Sequence, residues 1–177
     1  MDEMQGVVDS HHFVTDILPL YRDTEIRIRV VPSNKEYIIS KAIICAESPV
    51  LSAMFEGNFQ ESQTRTVEMK EMEDVISIQS VEALLMWLYL HTVRFDIEGQ
   101  EECISAALEL ARLADMYNIV KLETDVAQYI KGNMLDTGID RGCSDLNTKW
   151  LRSEHIISAI ALPCGHPVRK LLASAPV

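Results

Sequence analysis

The sequence predicts an α+β domain, and three observations carry that reading. Residues 25–31, EIRIRVV, alternate apolar and charged side chains with the period of two that half-buries a strand. From Ser80 onward the apolar residues recur at i, i+3, i+4 and i+7 instead, through Val81, Leu84, Leu85 and Leu88, the spacing of a helix with one buried face. Three or four short strands therefore come early and helices follow, the order of an α+β fold rather than an alternating α/β one. The 177 residues, 47% hydrophobic and 24% charged, suffice for one such domain with a core of its own.

Each element has its own signal. After the first strand, Pro32-Ser33-Asn34-Lys35 reads as a turn and Glu36-Tyr37-Ile38-Ile39 as the return strand of a hairpin. Ala42, Ile43, Cys45 and Ala46 suit a short helix, and Ser48-Pro49 reads as an N-cap followed by proline at the first helical position. That second helix directs Val50, Leu51, Met54 and Phe55 inward until Gly57 stops it, and EGNFQESQ reads as a loop. Residues 65–69 form a third strand, 75–78 are ambiguous, and the β-branched and aromatic run 93–95 reads as a fourth strand. Helix follows over 101–117, with Ser105, Glu109, Arg112 and Asp115 as its polar stripe and apolar residues on nearly all the rest, which places it in the core or at an interface. A further helix spans 120–130 past the Tyr117-Asn118 break, 132–147 is rich in Gly, Asp and Asn and reads as a linker, and helical stretches cover 150–162 and 167–173. Trp150, Leu151, Ile156, Ile157 and Ile160 have the spacing of core residues.

Charge and cysteine usage exclude several functions. Residues 1–140 hold 11 basic and 25 acidic groups, a balance of −14, whereas 141–177 hold 5 and 2, a balance of +3. A phosphate backbone requires a basic face, so nucleic acid is not the expected partner of so acidic a segment. Cys45, Cys103, Cys143 and Cys164 contain no CxxC pair; Cys164 and His166 are two apart but lack the companions a zinc site needs, so no metal and no disulfide framework are expected. Cys45 and Cys103 read as buried, unreactive thiols, and His11, His12 and His155 as surface residues. The longest stretch without Asp, Glu, Lys or Arg, 155–168, is 14 residues broken by Pro163, shorter than the roughly 20 a membrane helix needs. The acidic amino terminus is unlike a secretory signal, so the expected location is cytoplasmic or nuclear. The chain lacks GxGxxG, GxxxxGKS, GxSxG and HExxH, which argues against the enzyme classes that carry them, and no cofactor or small-molecule substrate is expected.

Five segments occur in an order that carries a resemblance: YRDTEIRI at the first strand, Tyr37 and Lys41 near the end of the second, SPVLSAMFEGNFQES over helix and loop, VEALLMWLYLHTVRF at the central helix, and LELARLADMYNIVKLETDVAQYI over the last helix pair. Over some 110 residues the chain resembles a BTB (POZ) domain. It departs from that pattern at Ser40, where the family usually has His, and in the long connection 71–80. The resemblance implies a three- to four-stranded sheet capped by short helices, with a segment at 1–20, the domain at 21–131, a linker at 132–147 and a helical extension at 148–177.

The resemblance further implies a non-enzymatic protein-interaction module that self-associates, usually as a homodimer, and in many relatives recruits the cullin-3 ubiquitin ligase scaffold. The family's cullin contact falls on Phe59-Gln60-Glu61, with Met54 and Phe55 on the preceding helix. An exposed aromatic can anchor in a partner's pocket while a carboxylate meets a basic rim, but Phe59 is equally readable as a ring folded back over its own helix end. Phe13, Ile17 and Leu18 lie on a short amphipathic segment that in relatives crosses the dimer partner; a frayed terminus is the other reading. Asp23 and Lys41 match a charged pair beside a co-repressor groove in some relatives, and with Ser40 in place of His a plain ion pair is the other reading. An oligomerisation scaffold, a transcription-associated protein without a ligase role, and a monomeric adaptor of the elongin-C or Skp1 type remain open beside the cullin adaptor.

Overall fold

The computed structural model describes residues 24–132 and 150–174. The strand β1 (Glu25–Val31) alternates as expected: Ile26, Ile28 and Val30 are buried and the residues between them face outward. It pairs antiparallel with β2 (Lys35–Ser40) through the register Ile28↔Tyr37, and Asn34 takes the left-handed conformation that closes the turn. On its other side β1 pairs in parallel with β3 (Thr66–Lys70), giving the order β2-β1-β3. A parallel pair needs a long crossover, and α1 (Lys41–Glu47), α2 (Pro49–Glu56) and α3 (Gln60–Thr64) supply it. The sheet has three strands among the described residues; the fourth, expected at 93–95, is absent. Val93, Phe95 and Ile97 do pack against the core in alternation, but no neighbouring strand offers their backbone a ladder.

Ser48 acts as the expected N-cap, its hydroxyl oxygen accepting from the Leu51 N–H at 3.1 Å with Pro49 at the first helical position. The inward faces are narrower than expected, and that of α1 turns toward Ile44. In α1 the buried pair is Ile43 and Ile44, while Cys45 is half-buried and Ala46 exposed; in α2 Leu51 and Phe55 are buried and Val50 points out. The helix α4 (Ile78–Leu90) starts earlier than its apolar spacing suggests because Ser77 and Ser80 cap it reciprocally. It buries Val81, Leu84 and Leu88 with Trp87, whose indole N–H donates to Asp125 at 2.7 Å.

The helix α5 (Gln100–Met116) is the centre of the molecule and buries nine of its 17 residues. Asn118 in the left-handed conformation ends it, with the Ile119 N–H returning to the Ala114 carbonyl at 2.9 Å, and α6 (Val120–Ile130) folds back along it. Towards the carboxy terminus, α7 (Ser153–Ile160) packs on α5, and α8 (Pro167–Ala173) packs on α6. The extension's core is Ala159, Leu162, Val168 and Leu172. Ile157 and Ile160, expected inside, are exposed, and His155, expected at the surface, is 5% exposed, because α7 turns its polar side toward α5. Among the described residues no helix is long and apolar enough to cross a membrane.

Besides capping α2, the Ser48 hydroxyl donates to the Tyr117 carbonyl at 2.7 Å from a fully buried position. Ser48→Ala therefore removes a cap and strands a buried carbonyl, at a cost of about 1–3 kcal/mol. Ser52→Ala, whose hydroxyl meets only the exposed Glu56, costs under about 0.5 kcal/mol, and urea unfolding of the two variants measures the difference.

Candidate interaction surface

The segment between α2 and β3 displays the residues singled out in the sequence, and a glycine sets their geometry. The helix α2 ends at Gly57, whose N–H donates to the Ala53 carbonyl at 2.9 Å. A Cβ on Gly57 would stand 2.7 Å from that carbonyl oxygen and 2.8 Å from the Phe59 ring, so the ring lies against bare backbone. Phe59 then caps α3, a five-residue helix that occupies part of the expected loop, and its carbonyl accepts from the Ser62 N–H at 3.2 Å and the Ser62 hydroxyl at 3.1 Å. The two readings of Phe59 are thus combined: one side rests on its own helix end, while 56% of the residue stays exposed.

The neighbours divide into contact and support. Phe55, named both as an inward residue and as a contact candidate, is 4% exposed and belongs to the core; Met54 is half-buried beside it. Glu61 sits in the first turn of α3, and among the described residues nothing bonds its carboxylate. It borders a polar depression of about 380 Å³ with Arg29, Gln60, Thr64, Thr66 and Glu68. Arg29 is already engaged there, with Glu36 at 2.7 Å and Glu68 at 3.3 Å, and these neighbouring carboxylates hold its guanidinium above its ordinary pKa.

The Ser48–Tyr117 bond and the Lys121–Glu47 ion pair at 3.0 Å join the start of α2 to the α5–α6 turn. Val50, Met116 and Val120 flank that junction and remain exposed. Sequence reading overlooked them because an apolar residue inside a helical pattern is assigned to the core by default. Lys41 is half-buried with its backbone N–H donating to Thr24 at 2.9 Å, whereas its suggested partner Asp23, together with Phe13, Ile17 and Leu18, lies outside the described residues. Cys164 is exposed while His166 is buried, Cys143 is not among the described residues, and no group of three or more His, Cys, Asp or Glu among those residues could hold a metal ion.

Ser105 and His155 are the only described Ser–His side-chain pair with the spacing of a nucleophile and its base, 3.1 Å from Oγ to Nε2. The geometry is wrong for that role. The His155 Nδ1 accepts from the Arg152 N–H at 3.1 Å, so Nε2 carries the proton and donates to Ser105 instead of accepting from it.

The model of the BTB/POZ domain family matches residues 21–133. The chain belongs to the BTB/POZ family. Solved structures similar to this BTB domain include the BTB domain of zebrafish PATZ1, at 21% identity over 60% of this chain and 74% of that one, TM-score 0.42. The BTB domain of human Gigaxonin is similar at 18% identity over 73% of this chain and 99% of that one, TM-score 0.49. The fold is the α+β arrangement expected, and the family is one of protein–protein interaction modules.

The packing of this surface separates support from display. Phe55→Ala costs about 3–5 kcal/mol of stability by opening a cavity, while Phe59→Ala stays within about 1 kcal/mol; thermal unfolding of the two variants distinguishes them.

Proposed function

We propose that this BTB domain is a non-enzymatic, homodimeric adaptor of the cytoplasm or nucleus that offers Phe59 and Glu61 to cullin-3. The observation that carries the proposal is an aromatic ring more than half exposed yet held in place by Gly57 and the α3 cap. An apolar anchor that is already ordered loses little side-chain entropy on binding, and such anchors dominate interface energies. The Glu61 carboxylate, unbonded among the described residues, supplies a charged neighbour for a basic partner surface, and Val50, Met116 and Val120 extend the apolar contribution on the α5 side. The division into a segment at 1–20, a domain at 21–131, a linker at 132–147 and an extension at 148–177 is part of this proposal, with Phe13, Ile17 and Leu18 serving the dimer.

Titrating immobilised cullin-3 amino-terminal domain with the purified chain tests the recruiting edge. Wild type binds saturably, and Phe59→Ala with Glu61→Ala weakens binding by about 2 kcal/mol or more, roughly 30-fold, while stability falls by no more than about 1 kcal/mol. Equal binding by both proteins, or no binding by either, rejects it and leaves the scaffold reading.

Light scattering tests the dimer. The full chain is expected at twice its 20.0 kDa mass and a chain lacking residues 1–20 at a smaller mass average; an unchanged dimer removes the assigned role from Phe13, Ile17 and Leu18.

A further inference from the structure

The C-terminal helices are held to the domain by an unusually polar contact. Arg152 forms a two-pronged ion pair with Glu101 of α5, its Nη2 donating at 2.6 Å, and Arg112 of α5 donates to the Ser158 carbonyl at 2.7 Å and hydroxyl at 2.8 Å. Between these pairs lies His155, and a second buried histidine, His166, stands at the start of α8.

Both imidazoles are locked in one neutral form by what they bond. The His155 Nδ1 accepts from the Arg152 N–H, and its Nε2–H donates to Ser105. The His166 Nδ1 accepts from the Val168 N–H at 3.2 Å, capping α8, while its buried Nε2 makes no hydrogen bond among the described residues and stands 3.6 Å from Glu123 of α6. A proton added to either Nδ1 turns an acceptor into a donor that confronts a backbone N–H, and it also charges a buried ring.

We propose that α7 and α8 are an acid-sensitive latch, docked on α5 and α6 while His155 and His166 are neutral and released as both gain a proton. The surrounding charges leave that sense intact. Around His155, Glu101 and Glu154 favour the proton and Arg152 opposes it, with Asp74 and Glu109 at the rim of the same depression; burial outweighs them and pushes the ring below its ordinary value. Around His166, burial again dominates and Asp115 of α5 favours the proton. A pKa lowered by docking means that the released state binds more protons, so docking is complete above about pH 6.5 and weakens as pH falls. Two such groups change the ratio of released to docked chains by up to roughly 100-fold per pH unit. Glu123 acts against the latch: ionised, its carboxylate 3.6 Å from the His166 Nε2 favours the proton on that ring in the docked state, and burial with Asp115 raises its own carboxyl, so the docked state also gains as Glu123 protonates.

Hydrogen exchange on the intact chain, corrected for the intrinsic rate at pH 7.5 and 5.5, tests the latch. Protection over 150–174 is expected to fall at least about tenfold at the lower pH while protection over 78–90 stays within about twofold. In His155→Asn with His166→Asn, where an amide oxygen replaces each accepting nitrogen, protection over 150–174 is expected to be the same at both pH values. Wild-type protection that does not change, or falls equally over 78–90, overturns the proposal. Should the double variant be unprotected at both pH values, the imidazole proton resonances of wild type decide. Midpoints below about 6.5 that coincide with the loss of protection support the latch, and ordinary midpoints with retained protection overturn it.

Discussion

The helices α4, α6 and α7 all pack on α5, and the constraint is that more than half of its residues are buried. Nine of its 17 residues are buried, including Ile104, Leu108, Leu110 and Leu113, so α4 and α6 must lie against it to keep that apolar surface from water. Alanines at 106, 107, 111 and 114 leave room for close approach on several sides at once. Ser105 and Arg112 of its polar stripe, with Glu101 beside them, are bound by the extension. A helix buried over more than half of its residues behaves as a post for the elements packed on it.

The post reaches the candidate interaction surface through one residue. Tyr117, just past the end of α5, presents its carbonyl to Ser48, and Ser48 caps the helix that carries Met54, Phe55 and Gly57. The position of Phe59 thus follows from a chain of buried contacts running from the core outward, although its ring is solvated. Display of this kind fits a module whose work is binding: the support is apolar and fixed, and the exposed groups are few.

The features legible in the sequence were those whose signal lies within a few residues. EIRIRVV shows its alternation, SPV shows its cap, and the break at Tyr117-Asn118 shows a left-handed residue ending one helix before another begins. Features decided by distant neighbours were not legible. QESQT has no apolar face and is too short for a period, so α3 was hidden in a loop. Residues 93–97 have the alternation of a strand but lack the partner that would make them one. The polar stripe of α5 and the Ile157–Ile160 pair of α7 misled in the same way: helical spacing tells which residues share a face but not whether that face meets water or another polar helix. The candidate site was legible as Phe59 and Glu61 through a family resemblance, while the role of Gly57 lies in the packing of the ring against its backbone, which no local pattern carries.

The central claim is that the extension is part of the structure built on α5. Urea unfolding at pH 7.5 of the full chain beside a chain ending at Gly132 tests it most directly. The account predicts a higher midpoint and a steeper denaturant dependence for the full chain, since docking buries Ala159, Leu162, Val168 and Leu172 against the domain. Identical midpoints and slopes for the two chains would contradict it.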